Sequence, residues 1–105
     1  YPYTDRMKTV IESLLFEKQA KEVWSEEEKE DFIGWIARNH NAGDIVRGSS
    51  GARKVRWKRS GSGKSGGVRV VHYYLHEKDS IFLITLYPKS SQNSIKGHKI
   101  KELLK

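Results

Sequence analysis

Lysine and arginine, rather than acids, hydroxyls or thiols, are the residues whose type and spacing here could do chemistry. From Ala52 the sequence alternates, placing Lys54, Arg56 and Lys58 on one face of a strand and Val55 and Trp57 on the other. A Gly/Ser-rich link, Ser60 to Gly67, follows Arg59 and carries Lys64. A second strand, Val68 to Leu75, then sets Arg69, Val71 and Tyr73 on one face, and Val70 and Tyr74 on the other. A third, Ser80 to Tyr87, stops at Pro88 with Lys89 just beyond. Its alternation sends Phe82, Ile84 and Leu86 to the core and leaves Thr85 and Tyr87 on the basic face. If the hairpin pairs normally, Arg69 comes near Arg56 or Lys58. Cations gathered in this way suit a phosphodiester. They stabilise the extra charge of a pentavalent phosphorane and favour ionisation of an attacking hydroxyl; RNA brings its own nucleophile, the 2′-OH. Tyrosines among cations are suited to stacking bases while phosphates are held. The alternative is a solvated outer sheet face, but like charges facing each other across strands destabilise the pair, a cost that points to function.

The charge distribution agrees. Residues 1–44 hold ten acids and six Lys/Arg, a balance of −4, whereas residues 45–105 hold three acids and fourteen Lys/Arg, a balance of +11. Between Ile45 and His76 there is no acid. Such a field favours a polyanion: nucleic acid first, a membrane surface or an acidic protein second. Other chemistries find little support. The chain has no cysteine, so neither disulfides nor thiolate catalysis apply. His40, His72, His76 and His98 show no zinc spacing, and two residues four apart on a strand lie roughly 13 Å apart, too far for one metal. His72 on a strand reads more readily as a packed or hydrogen-bonded residue than as a catalyst. Gly63-Lys64-Ser65 lacks the earlier glycine of a phosphate loop, since Lys58 stands there, and it joins two strands rather than a strand and a helix. No apolar run approaches the roughly 18 residues of a membrane span, and no signal-peptide core is evident.

The elements that must position these cations are those of one small α+β domain, at 105 residues. Tyr1 to Arg6 read as a tail outside the domain, which would then occupy 7–105, with Met7 a candidate native start. Met7 to Glu12 suits a first strand and Ser13 to Val23 a short helix. Ser25-Glu26-Glu27-Glu28 is a capping box opening a second helix whose apolar face is Phe32, Ile33, Trp35 and Ile36, ending near Asn39. Asp44 to Gly51 reads as a loop and His76 to Asp79 as a tight connection. Ser94 to Leu104 reads as a last helix, weakened by Gly97. Consecutive strands with short links predict a twisted antiparallel sheet with the N-terminal helices packed on one face.

The ordered set Gly51-Ala-Arg-Lys54-Val-Arg56-Trp, a glycine-rich loop carrying lysine, Gly67-Val-Arg69-Val-Val, and Phe82-Leu-Ile-Thr-Leu-Tyr-Pro-Lys89 resembles the RelE/HigB toxins of the RelE/ParE superfamily, closest to the HigB-like branch. The likeness is specific over Ile45 to Lys89. It implies a RelE-like fold and a type II toxin–antitoxin toxin, a cytoplasmic, metal-independent and cofactor-free endoribonuclease that cuts messenger RNA in the ribosomal A site, against 16S rRNA. By that resemblance Lys54 and Arg56 are the paired cations of the first basic strand, one of them aiding activation of the 2′-OH. Arg69 would hold the scissile phosphate, and Lys89 would stabilise or protonate the 5′-oxygen leaving group. The product would be a 2′,3′-cyclic phosphate or its 3′-phosphate descendant. Lys58, Arg59, Lys64, Tyr73 and Tyr87 would contact RNA. The partner would be a HigA-like helix-turn-helix antitoxin, and no membrane is involved. In RelE a tyrosine after the last strand stacks on the substrate base; the matching place here falls near Ile95, leaving Tyr73 or Tyr87 to take that part. His98 is the candidate for the C-terminal histidine that some HigB members use. Two competing readings are a non-enzymatic toxin of this fold that inhibits DNA gyrase, as in the ParE branch, and an RNA-binding module without cleavage.

Overall fold

The computed structural model describes residues 8–57, 67–88 and 100. Five strands form one sheet in the order β1-β5-β4-β3-β2, with β1 at Thr9–Glu12, β2 at Asp44–Ile45, β3 at Arg53–Trp57, β4 at Val68–Leu75 and β5 at Ser80–Pro88. Two helices, α1 (Leu14–Val23) and α2 (Glu26–Arg38), lie between β1 and β2 in sequence. The predicted α+β class holds, but the sheet is mixed rather than wholly antiparallel. β1 runs parallel to β5, with Thr9 opposite Ser80 and Glu12 opposite Leu83, whereas every other pairing is antiparallel. Among the described residues, β2 is an element that the sequence reading left inside a loop; at two residues it is too short to show a period.

Both helices begin where their caps dictate. The Ser13 side chain accepts from the backbone N–H of Phe16 at 2.9 Å. Ser25 and Glu28 form the reciprocal capping box, at 3.2 and 2.9 Å, and α2 ends on Asn39. The helices bury Phe16, Ala20, Trp24, Phe32 and Ile36 against Val55, Val68, Val70, Ile81, Leu83 and Leu86. Each fully buried aromatic contributes roughly 1.5–3 kcal/mol by burial. Trp35 and Trp57 stack at 5.0 Å between ring centroids, closing that core at the β3 end. α1 also finishes the sheet. Beyond the last residue of β1, the edge of β5 is satisfied by Ser13, whose N–H donates to Leu83 O and whose hydroxyl donates to Ile84 O. Gln19 Oε1 accepts from Leu86 N and from the Thr85 hydroxyl. An edge that would otherwise present unpaired groups is thus covered by a helix.

The expected facing of β5 needs correction. Val71 pairs with Thr85 but His72 pairs with Leu83, so a bulge leaves Ile84 as an extra residue. The bulge resets the alternation: Ile81, Leu83 and Leu86 face the helices, whereas Phe82 and Ile84 face away. Thr85 turns to Gln19 and does not join the basic face. The opposite side of the sheet therefore has an apolar cluster of its own, Ala52, Val71, Ile84, Tyr87 and Ile100, with Val46, Tyr73 and Phe82 packed on it. Of the predicted last helix, only Ile100 falls within the described residues; it is helical and fully buried.

Candidate nucleic-acid interface

Register alone builds the basic row. On the face away from α1 and α2, Arg56 lies directly opposite Arg69, and Arg69 directly opposite Tyr87. Lys54, two residues from Arg56 and so about 7 Å along the strand, lies opposite Val71 on one side and Asp44 of β2 on the other. Cross-strand partners hold their Cβ atoms about 4.5–5.5 Å apart, so two guanidinium groups rise side by side from neighbouring strands. Lys54, Arg56 and Arg69 together line a depression of about 320 Å³, with Gly43, Asp44 and Val55 completing its wall. Among the described residues Asp44 is the one carboxylate lining it.

Lys54 and Arg56 are exposed, whereas Arg69 is half-buried. Its Nη1 is out of reach of solvent and has no hydrogen-bond partner among the described residues. A buried charged donor of this kind is costly. Tyr87 is 8% exposed, and burial pushes its phenol above the ordinary range while the nearby Arg69 charge works against that shift. It therefore stays a neutral hydroxyl beside Arg69 at physiological pH.

Two glycines make this arrangement sterically possible. At Gly43, with φ of +89°, a Cβ would lie 2.4 Å from the Lys54 carbonyl oxygen, so only glycine lets the chain entering β2 approach β3 beside Lys54. At Gly67, with φ of +103°, a Cβ would meet Trp57 O at 3.0 Å and the Arg56 Cγ at 3.9 Å, at the point where the hairpin returns into β4.

Of the residues singled out from sequence, Lys54, Arg56 and Arg69 converge on the depression, and Tyr87 stands beside Arg69. Tyr73 does not join them. It is four residues along β4 from Arg69, about 13 Å away, and lines a different cavity. Lys58, Arg59, Lys64 and Lys89 lie outside the described residues, as do Ile95 and His98. His72 is fully buried with its Nε2 3.0 Å from the Ala42 carbonyl, the hydrogen-bonded role expected of it. Burial holds its pKa down to about 4. Gly43 and Asp44 were missed as part of the site. The Asn41-Ala42-Gly43 turn signal marked the break, but nothing local could show that the next two residues pair with β3.

No protein-family model matches the chain. What the architecture and its basic face define is a small α+β domain of RelE-like fold. The free E. coli toxin RelE, solved as a doubly substituted variant, superposes with a TM-score of 0.61 over 82% of this chain and 87% of that one, at 16% sequence identity. The shared feature at that identity is the fold.

Proposed function

We propose that this chain is the toxin of a type II toxin–antitoxin system, of the HigB-like branch, and that it cleaves messenger RNA on the ribosome. The observation that carries the reading is the convergence of Lys54, Arg56 and Arg69 on one depression. Support comes from the RelE-like fold beneath it. In this reading the scissile phosphate sits in the depression against Arg69 and Arg56. The 2′-oxygen gives up its proton to water and attacks phosphorus, a P–O bond forms to give the 2′,3′-cyclic phosphate, and the bond to the 5′-oxygen breaks. Lys54 lowers the cost of the 2′-oxyanion, and the guanidinium pair offsets the charge gained by the non-bridging oxygens. Lys89 is proposed to supply the 5′-oxygen with its proton, and Lys58, Arg59 and Lys64 to hold the flanking backbone. Tyr87 is placed to support Arg69 rather than to stack on a base, because so little of its ring is exposed.

The partners that follow are translating ribosomes with their message, and an antitoxin of the HigA-like helix-turn-helix kind, which places the protein in the cytoplasm. Among the described residues no helix is long and apolar enough to cross a membrane. Induced expression in bacteria tests the reading. Growth should stop with messages cut inside their coding regions, and Arg69→Ala should abolish the arrest while keeping the fold. Filamentation and DNA damage with messages intact would instead establish gyrase inhibition and end this proposal.

A further inference from the structure

A second concavity lies where β3 stops pairing with β4. Their ladder ends at Arg53 opposite His72, so β4 continues through Tyr73, Tyr74 and Leu75 without a partner on that side. The chain after α2 and the turn before β3 close around this notch and leave a cavity of about 220 Å³, lined among others by His40, Arg53, His72, Tyr73, Tyr74 and His76. That is room for a flat heterocycle, or for about seven waters at ~30 Å³ each. Among the described residues no carboxylate lines it. Part of its wall is held in backbone conformations that side chains rarely adopt, with Ser50 at φ of +66° and Gly51 at +113°. Such conformations persist only where the surrounding structure over-determines them.

The chemistry of the lining is specific. His72 is fully buried, and its Nε2 faces a carbonyl, which can only accept. Nε2 therefore carries the proton, and Nδ1 of the neutral ring presents a bare lone pair. That Nδ1 is buried and has no partner among the described residues; with His72 fully buried, it lies behind the cavity wall rather than on its surface. Aromatic rings stand at its sides. His40 and Tyr74 lie 4.4 Å apart between centroids at 37°, and Tyr74 meets His76 edge-on at 4.6 Å. Arg53 spends one nitrogen on the Gly43 carbonyl at 2.9 Å, leaving the other donors of its fork for an acceptor.

We propose that this cavity is a nucleobase site, in which a planar heterocycle rests against the His40/Tyr74/His76 rings and accepts from Arg53. Aromatic walls beside a forked donor match the face and an acceptor edge of a base. The cavity and the basic depression open on opposite faces of the sheet at its β2 edge. Asp44 lines the depression and Ile45 this cavity; Lys54 lines the depression and Arg53 this cavity. The two therefore lie on opposite sides of the two-residue strand β2. Resting on the RNA-cleavage reading, the base belongs to a nucleotide neighbouring the one whose phosphate fills the depression, passing over that edge. A free nucleoside offers the same chemistry.

The test is side-chain NMR of the histidines in the full chain, titrated with adenosine and, separately, with a 2′-O-methyl RNA trinucleotide that cannot be cut. Adenosine should shift the His40, His72 and His76 ring signals saturably and without salt dependence. A double variant at two exposed positions of the lining, Ile45→Trp and His76→Ala, should weaken that binding at least tenfold while leaving the fold unchanged. The trinucleotide should bind at least tenfold tighter than adenosine at low salt and lose that advantage as salt rises. Adenosine binding without any gain for the trinucleotide upholds the site and assigns it to a free nucleoside. Histidine signals that do not move up to the solubility of adenosine, or that move equally in the double variant, overturn it. The two readings fail separately: adenosine binding in a protein that cuts no message leaves the site standing and removes the nuclease, whereas cleavage without adenosine binding removes the site alone.

Discussion

Replacing Arg69 with methionine should make the protein more stable and inactive. Methionine keeps an unbranched apolar stem in place of the arginine methylenes and removes the guanidinium. Two costs disappear with it. One is the buried Nη1 with no hydrogen-bond partner among the described residues, a kind of defect worth roughly 1–3 kcal/mol. The other is the direct opposition of Arg56 and Arg69 across the β3–β4 pair, worth about 0.2–1 kcal/mol. Arg69 is only half-buried, so the lower ends of these ranges apply, and the net gain should be about 1 kcal/mol. For a domain of this size that raises Tm by roughly 4–8 °C. The electrostatic part should shrink in high salt, where the Debye length falls to about 3 Å at 1 M. Cleavage should fall by about 10²–10³, the usual loss when one preorganised donor to a developing anion is removed. Thermal unfolding at low and high salt, with message cleavage on the same preparations, measures both. A lower Tm in Arg69→Met would show that the guanidinium holds the sheet together. A higher Tm with cleavage unimpaired would remove the phosphate from the depression.

Gly43→Ala should lower Tm and slow cleavage together, since its Cβ would lie 2.4 Å from Lys54 O at φ of +89°; the strain should cost about 1–3 kcal/mol, read by thermal unfolding, with amide shifts concentrated around β2 and Lys54. Ser25→Ala should destabilise by about 1 kcal/mol through loss of the α2 capping box and leave cleavage by the remaining folded protein unchanged, as α2 lies on the other side of the sheet. Stability should fall as pH drops from about 6.5 to 4. His72 is held at about 4 when folded against an ordinary 6.5, so in that window the unfolded chain binds a proton that the folded chain refuses. The loss, on the order of 3 kcal/mol at most, should be flattened in His72→Gln, as followed by denaturant midpoints across that pH range. His40, lowered chiefly by desolvation, adds to it in the same direction.

The sequence made the basic row legible because β3 and β4 obey a strict period of two, and because their register follows from the hairpin: Arg56 does come opposite Arg69. The α2 capping box and the apolar faces of both helices were equally plain, since each signal is local. β5 was misread because a single bulged residue, Ile84, reverses the facing of everything on one side of it, and no residue in Phe82-Leu-Ile-Thr-Leu advertises a bulge. The parallel placement of β1 beside β5 joins residues about seventy positions apart in sequence, a choice made by packing rather than by any local preference. Likewise the cavity around His72 arises from where the β3–β4 ladder stops. The sequence showed four histidines without a metal spacing, and carried no sign that three of them would line one cavity.

The central claim is that the cations around Arg69 cut messenger RNA during translation. Primer extension on a reporter message in a bacterial translation extract tests it most directly, with wild-type protein, Arg69→Met and buffer run side by side. The account predicts new 5′ ends at in-frame positions with the wild-type protein alone, and only while the message is being translated. An intact message with normal translation in all three would contradict it, and an intact message with translation blocked by the wild-type protein would reduce the protein to a binder.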